Sequence, residues 1–257
     1  MKSIWNGAIG FGLVNIPIRM YAATESSTLD LDMLDKADLS HIRFKRVNET
    51  TGREVEWDNI VKAYKLNDRY IVLDDEDFEA ASPEKSSLFS IQQFVEEDEI
   101  DSVYLETPYF LEPHENGQNA YTLLLQALKK SHKVGVGSFV MRNKEILGIV
   151  KPYQGVLIVN RIRFPEELRG YEELHIPVAK AKSNELKMAV DLIDMNTKKF
   201  NPAQYKDTYR ADLLKIIKQK AKGQKLKVVE ARESSNTTTD LMEQLKASLE
   251  KSKKNIS

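Results

Sequence analysis

Side chains with the spacing needed for catalysis are sparse in this sequence of 257 residues. It contains no Cys, which excludes a disulfide framework, a cysteine nucleophile and a zinc site with cysteine ligands. The sequence also lacks a phosphate-binding GxxxxGKS/T loop and a GxSxG nucleophile elbow. The four histidines are far apart, and none has the spacing of a metal-binding helix; they are His41, His114, His132 and His175. We therefore expect a protein that is not an enzyme and that holds neither a metal ion nor a cofactor.

One acidic run could still support metal chemistry. Residues 96–101 contain five carboxylates, and carboxylate oxygens are suitable ligands for Mg²⁺. The run lacks the spacing of an EF-hand loop, and a solvated or partner-facing surface explains it more simply. A magnesium-dependent nuclease that uses this cluster is therefore kept as an alternative function.

Cations cluster where the sequence predicts a β-hairpin, over residues 39–57. Arg43 and Lys45 share one strand face because they alternate with Ile42 and Phe44. An ordinary exposed hairpin would look similar, but a two-stranded ribbon of this kind can also lie along a duplex and neutralise phosphates. From charge and position, we expect phosphate contacts from Arg43, Lys45, Arg46, Arg53 and Lys62.

A second basic segment, residues 206–227, contains eight Lys and Arg and only two acidic residues. Asn201-Pro202 predicts the start of a helix, and Gly223 predicts its end after Lys222. One face of this helix is apolar, and another carries three lysines that could contact phosphates or an acidic protein surface. These lysines are Lys215, Lys218 and Lys222.

The formal net charge of −1 hides a strong asymmetry along the chain. Residues 201–257 carry 13 Lys and Arg against 7 Asp and Glu, whereas residues 74–106 carry 12 acidic residues and one basic residue. A basic protein with one acidic block suggests a polyanionic partner, with the acidic block turned away from it. No base-reading motif is evident, so a nucleic acid would be recognised by its backbone and shape.

Short alternating strands are predicted up to residue 164, and helices dominate after it. The predicted strands are 5–13, 18–21, 60–66, 69–73, 89–95, 103–105, 109–111, 134–141, 146–151 and 155–164, besides the hairpin. The predicted helices are 75–81, 119–131, 184–195, 202–222 and 240–251. Regular strand spacing favours a barrel over a parallel α/β sheet, so we predict a β-rich α+β fold. The expected domains are a barrel core at 1–180, a helical arm at 181–232 and a short basic tail at 233–257.

No stretch of the sequence approaches the ~20 apolar residues that a membrane span requires. The opening residues also lack the sustained apolar region of a signal peptide. These two observations predict a cytoplasmic protein with no membrane partner.

A series of ordered blocks resembles the bacterial Ku family. The longest is the opening WNGAIGFGLVNIPIRMY, Trp5–Tyr21. It is followed by blocks at 52–55, 61–64, 94–101, 109–113, 120–124, 133–135, 139–142 and 205–210. The blocks are collinear over most of residues 1–223, so the set is far more specific than any one of them. Two positions depart from the family pattern: Ala63 stands where Gly is usual, and Ser86-Ser87-Leu88 replaces a more basic sequence, which would weaken one phosphate contact.

The resemblance implies a Ku core β-barrel with an inserted bridge and a C-terminal helical arm. Two copies would form a homodimeric ring that threads broken double-stranded DNA ends without reading sequence. The ring would recruit an ATP-dependent end-joining ligase (ligase D), and the protein would associate with the nucleoid when bound to DNA. The apolar faces of the helices at 185–222 would form the dimer interface or pack within the chain. A barrel that binds only protein partners is a further alternative to DNA binding.

Overall fold

The computed structural model describes residues 1–81, 87–177 and 180–224, together with residues 244, 245, 248 and 250. The chain divides into two compact units. The first comprises Met1–Ser26 and Asp30–Gly170, and the second comprises Ser27–Leu29 and Tyr171–Ser257. The three domain limits drawn from the sequence stay a prediction.

The strands of the first unit are numbered along the chain. They are β1 (Trp5–Phe11), β2 (Val14–Ala22), β3 (Lys62–Leu66), β4 (Arg69–Leu73), β5 (Leu88–Glu96), β6 (Leu105–Pro113), β7 (Lys133–Met141), β8 (Lys144–Tyr153) and β9 (Val156–Ile162). All but β3 and β4 close into a barrel in the order β1-β2-β6-β9-β8-β7-β5. The ring closes through a parallel contact between β1 and β5, while the other neighbouring pairs are antiparallel. The predicted barrel is confirmed.

The barrel interior is filled by apolar side chains from alternating strand positions. Ile9, Ile16 and Phe89 are fully buried, and burial of side chains of this size stabilises the fold by about 1.5–3 kcal/mol each. The paired strands β5 and β7 approach closely at Gly137, where an added Cβ would lie 2.1 Å from the carbonyl oxygen of Ser90. Glycine is therefore required there because β5 and β7 leave no space for a side chain.

The helices are α1 (Asp75–Ala81), α2 (Gln118–Ser131), α3 (Ser183–Asn196) and α4 (Thr208–Ala221). Helix α2 packs against the barrel through one buried face that includes Tyr121, Leu124 and Leu128. The Tyr121 hydroxyl donates to the carbonyl of Leu111 (2.8 Å) and accepts the N–H of Leu157 (2.7 Å). It thereby joins β6 to β9, and burial raises the pKa of Tyr121.

In the second unit the predicted start of the last helix is wrong. Asn201 does act as a cap, and its side chain accepts the N–H of Ala203 (3.1 Å), but it caps only a single 3₁₀ turn. Tyr205 is extended, and α4 begins at Thr208 with Asp207 accepting the N–H of Arg210 (3.0 Å). An Asn-Pro pair marks the start of a turn but does not determine its length.

Most other predicted elements are confirmed with changed limits, but the strand predicted over 103–105 is wrong, because Asp101 caps a 3₁₀ turn at Ser102–Tyr104 and β6 begins only at Leu105. The strand predicted over 5–13 ends at Phe11 as β1, because Gly12 has a positive φ of 56° and reverses the chain, and the run predicted over 18–21 lies within β2. Pro17 lies inside β2, where its carbonyl accepts the N–H of His114 (3.0 Å). The predicted helix at 240–251 falls largely outside the described residues. In the described part of the chain no helix is long and apolar enough to cross a membrane.

Replacing Tyr121 with Phe tests whether its hydroxyl holds the barrel end together. The change leaves a buried N–H and a buried carbonyl without a partner, so we expect the free energy of unfolding to fall by about 1–3 kcal/mol. Urea denaturation would measure it. Tyr153→Phe is the control, because Tyr153 is 44% exposed and its hydroxyl has no hydrogen bond to another described residue. Equal effects of the two changes would contradict this role of Tyr121.

Candidate nucleic-acid interface

The chain between β2 and β5 contains a stretch that contributes nothing to the barrel core. We name residues 30–73 the bridge segment. None of its side chains is buried, and only Val55 and Leu73 are half-buried. All five cations predicted there as phosphate contacts are exposed: Arg43, Lys45, Arg46, Arg53 and Lys62.

The predicted hairpin at 39–57 is formed only around its turn. The N–H of Asn48 donates to the carbonyl of Arg53 (2.8 Å), and the N–H of Val55 donates to the carbonyl of Arg46 (2.9 Å). Gly52 adopts a positive φ of 65°, as the predicted turn at 48–52 requires. The strand predicted at the start of the hairpin is wrong. His41 makes a single bridge with Leu34 instead, because this stretch pairs with the residues before it: the N–H of Ile42 donates to the carbonyl of Met33 (3.0 Å), and that of Asp35 donates to the carbonyl of Ser40 (2.8 Å).

The cations of the bridge segment differ in the contacts that their side chains make within the chain. The ammonium group of Lys45 lies 2.5 Å from a carboxylate oxygen of Glu54. The guanidinium of Arg46 lies 4.3 Å from the centre of the Trp57 ring. Within the described residues, Arg43 and Arg53 form no ion pair, so these two have the fewest competing contacts.

Lys62 lies in an environment that the sequence did not indicate. Strands β3 and β4 form the predicted pair, and Lys62 at its base lies 4.7 Å above the ring of Phe78 in α1. This helix begins with Asp75, Glu76 and Asp77. Lys62 is thus already engaged with an aromatic face on an acidic helix, which weakens its case as a phosphate contact.

The bridge segment also exposes many large apolar side chains, which sequence reasoning missed. They occur on both faces of its extended stretches, so the alternation of apolar and polar residues did not indicate an apolar face. Exposed apolar surface on this scale is characteristic of interaction sites. The side chains are Leu31, Met33, Leu34, Leu39, Ile42, Phe44, Val47, Trp57, Ile60, Val61, Tyr64, Leu66, Tyr70, Ile71 and Val72.

In the second unit, α4 does bring the three predicted lysines to one face. Lys215, Lys218 and Lys222 line a shallow depression of about 510 Å³ together with Leu214 and other neighbours. Lys218 and Lys222 lie near the C-terminal end of the helix, where the helix dipole favours positive charge. Ile216 and Ile217, predicted as part of an apolar stripe, are 38% and 40% exposed.

The family of the chain follows from comparison with known proteins. The model of the Ku70/Ku80 beta-barrel domain matches residues 10–188, about two thirds of the chain. The chain belongs to the Ku family. This membership confirms the resemblance seen in the sequence, and it agrees with the closed barrel.

Named Ku relatives match over 80% or more of their length. The non-homologous end joining protein Ku of Coxiella burnetii is 36% identical over 100% of this chain and 98% of the relative. The protein of that name from Archaeoglobus fulgidus is 34% identical over 97% and 99%, and that from Opitutus terrae is 40% identical over 86% and 80%. Among solved structures, the SPOC domain of human PHD-finger protein 3 aligns with a TM-score of 0.32 at 13% identity, covering 63% of this chain and 97% of that one.

Three carboxylates of the acidic run at 96–101 each contact a different neighbouring group. Glu96 pairs with Lys133, and Glu97 pairs with Lys151 (2.5 Å). The hydrogen bond that Lys133 donates to the Glu96 carboxylate raises the pKa of Lys133. The Asp101 side chain accepts the backbone N–H of Val103 (3.0 Å). These carboxylates are directed to separate partners, and the described residues include no group of three His, Asp or Glu that could hold a metal ion.

Gly52→Ala tests whether the turn at 48–52 organises the cationic strand pair. A Cβ has open space there, so the expected cost of about 1 kcal/mol comes from the positive φ alone. Amide hydrogen exchange at Asn48 and Val55 should become faster, because their N–H groups bond across the turn. Gly52→Asn should have a smaller effect, since Asn tolerates this conformation. Unchanged exchange in Gly52→Ala would show that the turn does not depend on Gly52.

Proposed function

We propose that this Ku-family chain binds double-stranded DNA ends without sequence preference, in non-homologous end joining. The observation that carries the proposal is the bridge segment, in which all but two side chains are exposed and Arg43 and Arg53 form no ion pair with another described residue. Such cations can replace the counterions of a phosphate backbone at little cost to the protein. The names of the relatives support the end-joining role.

A homodimeric ring accounts for the exposed apolar side chains of the bridge segment. A second copy could cover Leu31, Met33, Tyr64 and Ile71 by a self-complementary contact, since most homodimers use the same patch on both copies. Helix α3 offers another unpartnered apolar row, and it consists of Leu186, Val190 and Ile193. A ring built in this way would hold a duplex by its backbone and would need no contact with base edges.

The family role also points to a catalytic partner. Joining a broken strand requires a ligase, and nothing in the described residues forms a recognisable catalytic centre. The ring would therefore position the DNA end and recruit an ATP-dependent end-joining ligase (ligase D). It would do so in the cytoplasm, at the nucleoid.

The eight predicted cations would act in two groups within this proposal. In the first unit Arg43 and Arg53 would make the strongest phosphate contacts, with Lys45 and Arg46 contributing after partial release from Glu54 and Trp57. Lys62 would contribute least because of the acidic residues of α1. In the second unit Lys215, Lys218 and Lys222 would contact phosphates as one face of α4.

Comparison of linear and circular forms of one duplex tests the threading of DNA. A closed ring can reach the duplex only from a free end, so we expect binding to the linear form and weak binding to the closed circle. Linearising the same circle with a restriction enzyme should restore binding, as measured by gel shift. Equal affinity for both forms would contradict threading, and no binding to either would favour the module that binds only protein partners.

Charge variants of the bridge segment test its role in phosphate binding. Arg43→Ala and Arg53→Ala should each reduce the salt dependence of binding, with the slope of log K against log salt falling by about 0.9 for each phosphate contact removed. The matched variant Glu54→Gln should have the opposite effect, because it frees Lys45. Fluorescence anisotropy at several salt concentrations would measure all three.

The same variants separate a DNA effect from a folding effect. The two arginines are exposed and form no ion pair within the described part of the chain, so their removal should leave the unfolding midpoint unchanged. Slopes that stay at the wild-type value in both arginine variants would show that the bridge segment does not contact phosphates.

A further inference from the structure

Two aromatic side chains on the bridge segment are largely open to solvent. Phe44 is 80% exposed and Trp57 is 65% exposed. Phe44 makes no ring contact with another aromatic residue among the described residues. Large aromatic groups left this exposed in a folded chain indicate a surface that acquires a ligand.

Cations adjoin both aromatic residues, in the chain for Phe44 and in space for Trp57. Arg43 and Lys45 flank Phe44 in the chain, and the guanidinium of Arg46 lies over the Trp57 ring at 4.3 Å. The carbonyl of Arg46 also accepts the N–H of Val55 (2.9 Å), which fixes its backbone opposite the returning chain. A guanidinium that stacks on an aromatic face keeps its N–H groups directed outward at its edges, where phosphate oxygens can reach them.

This combination matches the chemistry of an unpaired nucleotide. The faces of bases inside a duplex are stacked on one another and cannot reach an exposed ring, whereas an unpaired base has a free face. Proteins that bind single strands combine aromatic stacking with cations that follow the backbone. We propose that Phe44 and Trp57 stack on unpaired bases at a broken DNA end, with Arg43 and Arg46 on the adjacent phosphates. This inference rests on the proposed function and extends it from the duplex to its single-stranded overhang.

Charge argues against a second copy of the chain as the occupant of this surface. A two-fold contact centred on Phe44 would place Arg43, Lys45 and Arg46 of one copy against the same three cations of the other. Phosphates would instead neutralise them. Other exposed apolar positions of the bridge segment, such as Leu31 and Tyr64, remain available for a contact between copies.

The test compares blunt duplex ends with ends that carry a short single-stranded overhang, using the full chain. A 2-aminopurine base in the overhang reports stacking by loss of its fluorescence. We expect the wild-type protein to quench this signal and to bind the overhang DNA more tightly than the blunt DNA. Phe44→Ala should remove most of the quenching and lower affinity for the overhang DNA about tenfold, leaving blunt-end affinity unchanged.

Two controls keep the readout specific. Phe44→Leu retains an apolar side chain but loses the ring, so it should resemble Phe44→Ala. Leu13→Ala removes an apolar side chain that is fully exposed in the turn between β1 and β2, and it should change neither quenching nor affinity.

Trp57 gives an independent signal, because it is one of only two tryptophans and Trp5 is half-buried. Its fluorescence should fall on addition of overhang DNA and not of blunt DNA.

The outcomes separate this inference from the proposed function. Equal loss of blunt and overhang binding in Phe44→Ala would overturn base stacking while leaving DNA-end binding intact. A change in the oligomeric state of Phe44→Ala, measured by sedimentation, would assign the Phe44 side chain to a contact between copies and would also overturn base stacking. Failure of the wild-type protein to bind either DNA would instead contradict the proposed function.

Discussion

Closure of the barrel is the constraint on which the rest of this structure depends. The parallel contact between β1 and β5 joins the first strand to one that begins at residue 88, so the chain between β2 and β5 lies outside the ring. The apolar core is supplied by the barrel strands and α2. The bridge segment is left with no core of its own, and its cations and apolar side chains stay exposed.

The exposed bridge segment adds little to the stability of an isolated chain, and it leaves surface available for binding. Apolar side chains in water contribute little to stability, and exposed ion pairs such as Lys45–Glu54 are typically worth only 0–1 kcal/mol. Contacts this weak can be exchanged for phosphates or for a second copy with little loss. The barrel therefore supplies the stability of the first unit, while the bridge segment remains free to bind.

The two parts of the acidic block have different surroundings. Carboxylates of the 96–101 run pair with lysines of the neighbouring barrel strands, Lys133 and Lys151, so that part of the negative charge is neutralised locally. The acidic start of α1 instead lies beside Lys62, the cation least suited to a phosphate. A near-zero net charge thus results from separate regions of each sign, which suits a protein that must be attracted to DNA only at selected surfaces.

The sequence by itself determined the class of fold, the strand pairs, α2 and the family, because two-residue alternation, turn residues and ordered motifs are local signals. It also located the turn at 48–52 and the exposed cations. Only the tertiary structure decided that the hairpin is confined to its turn, that α4 starts at Thr208, and that Arg46 lies on Trp57 while Lys62 lies beside acidic residues. Those features depend on which distant side chains meet and on which of two neighbouring stretches an extended segment pairs with, and neither is encoded in the local pattern.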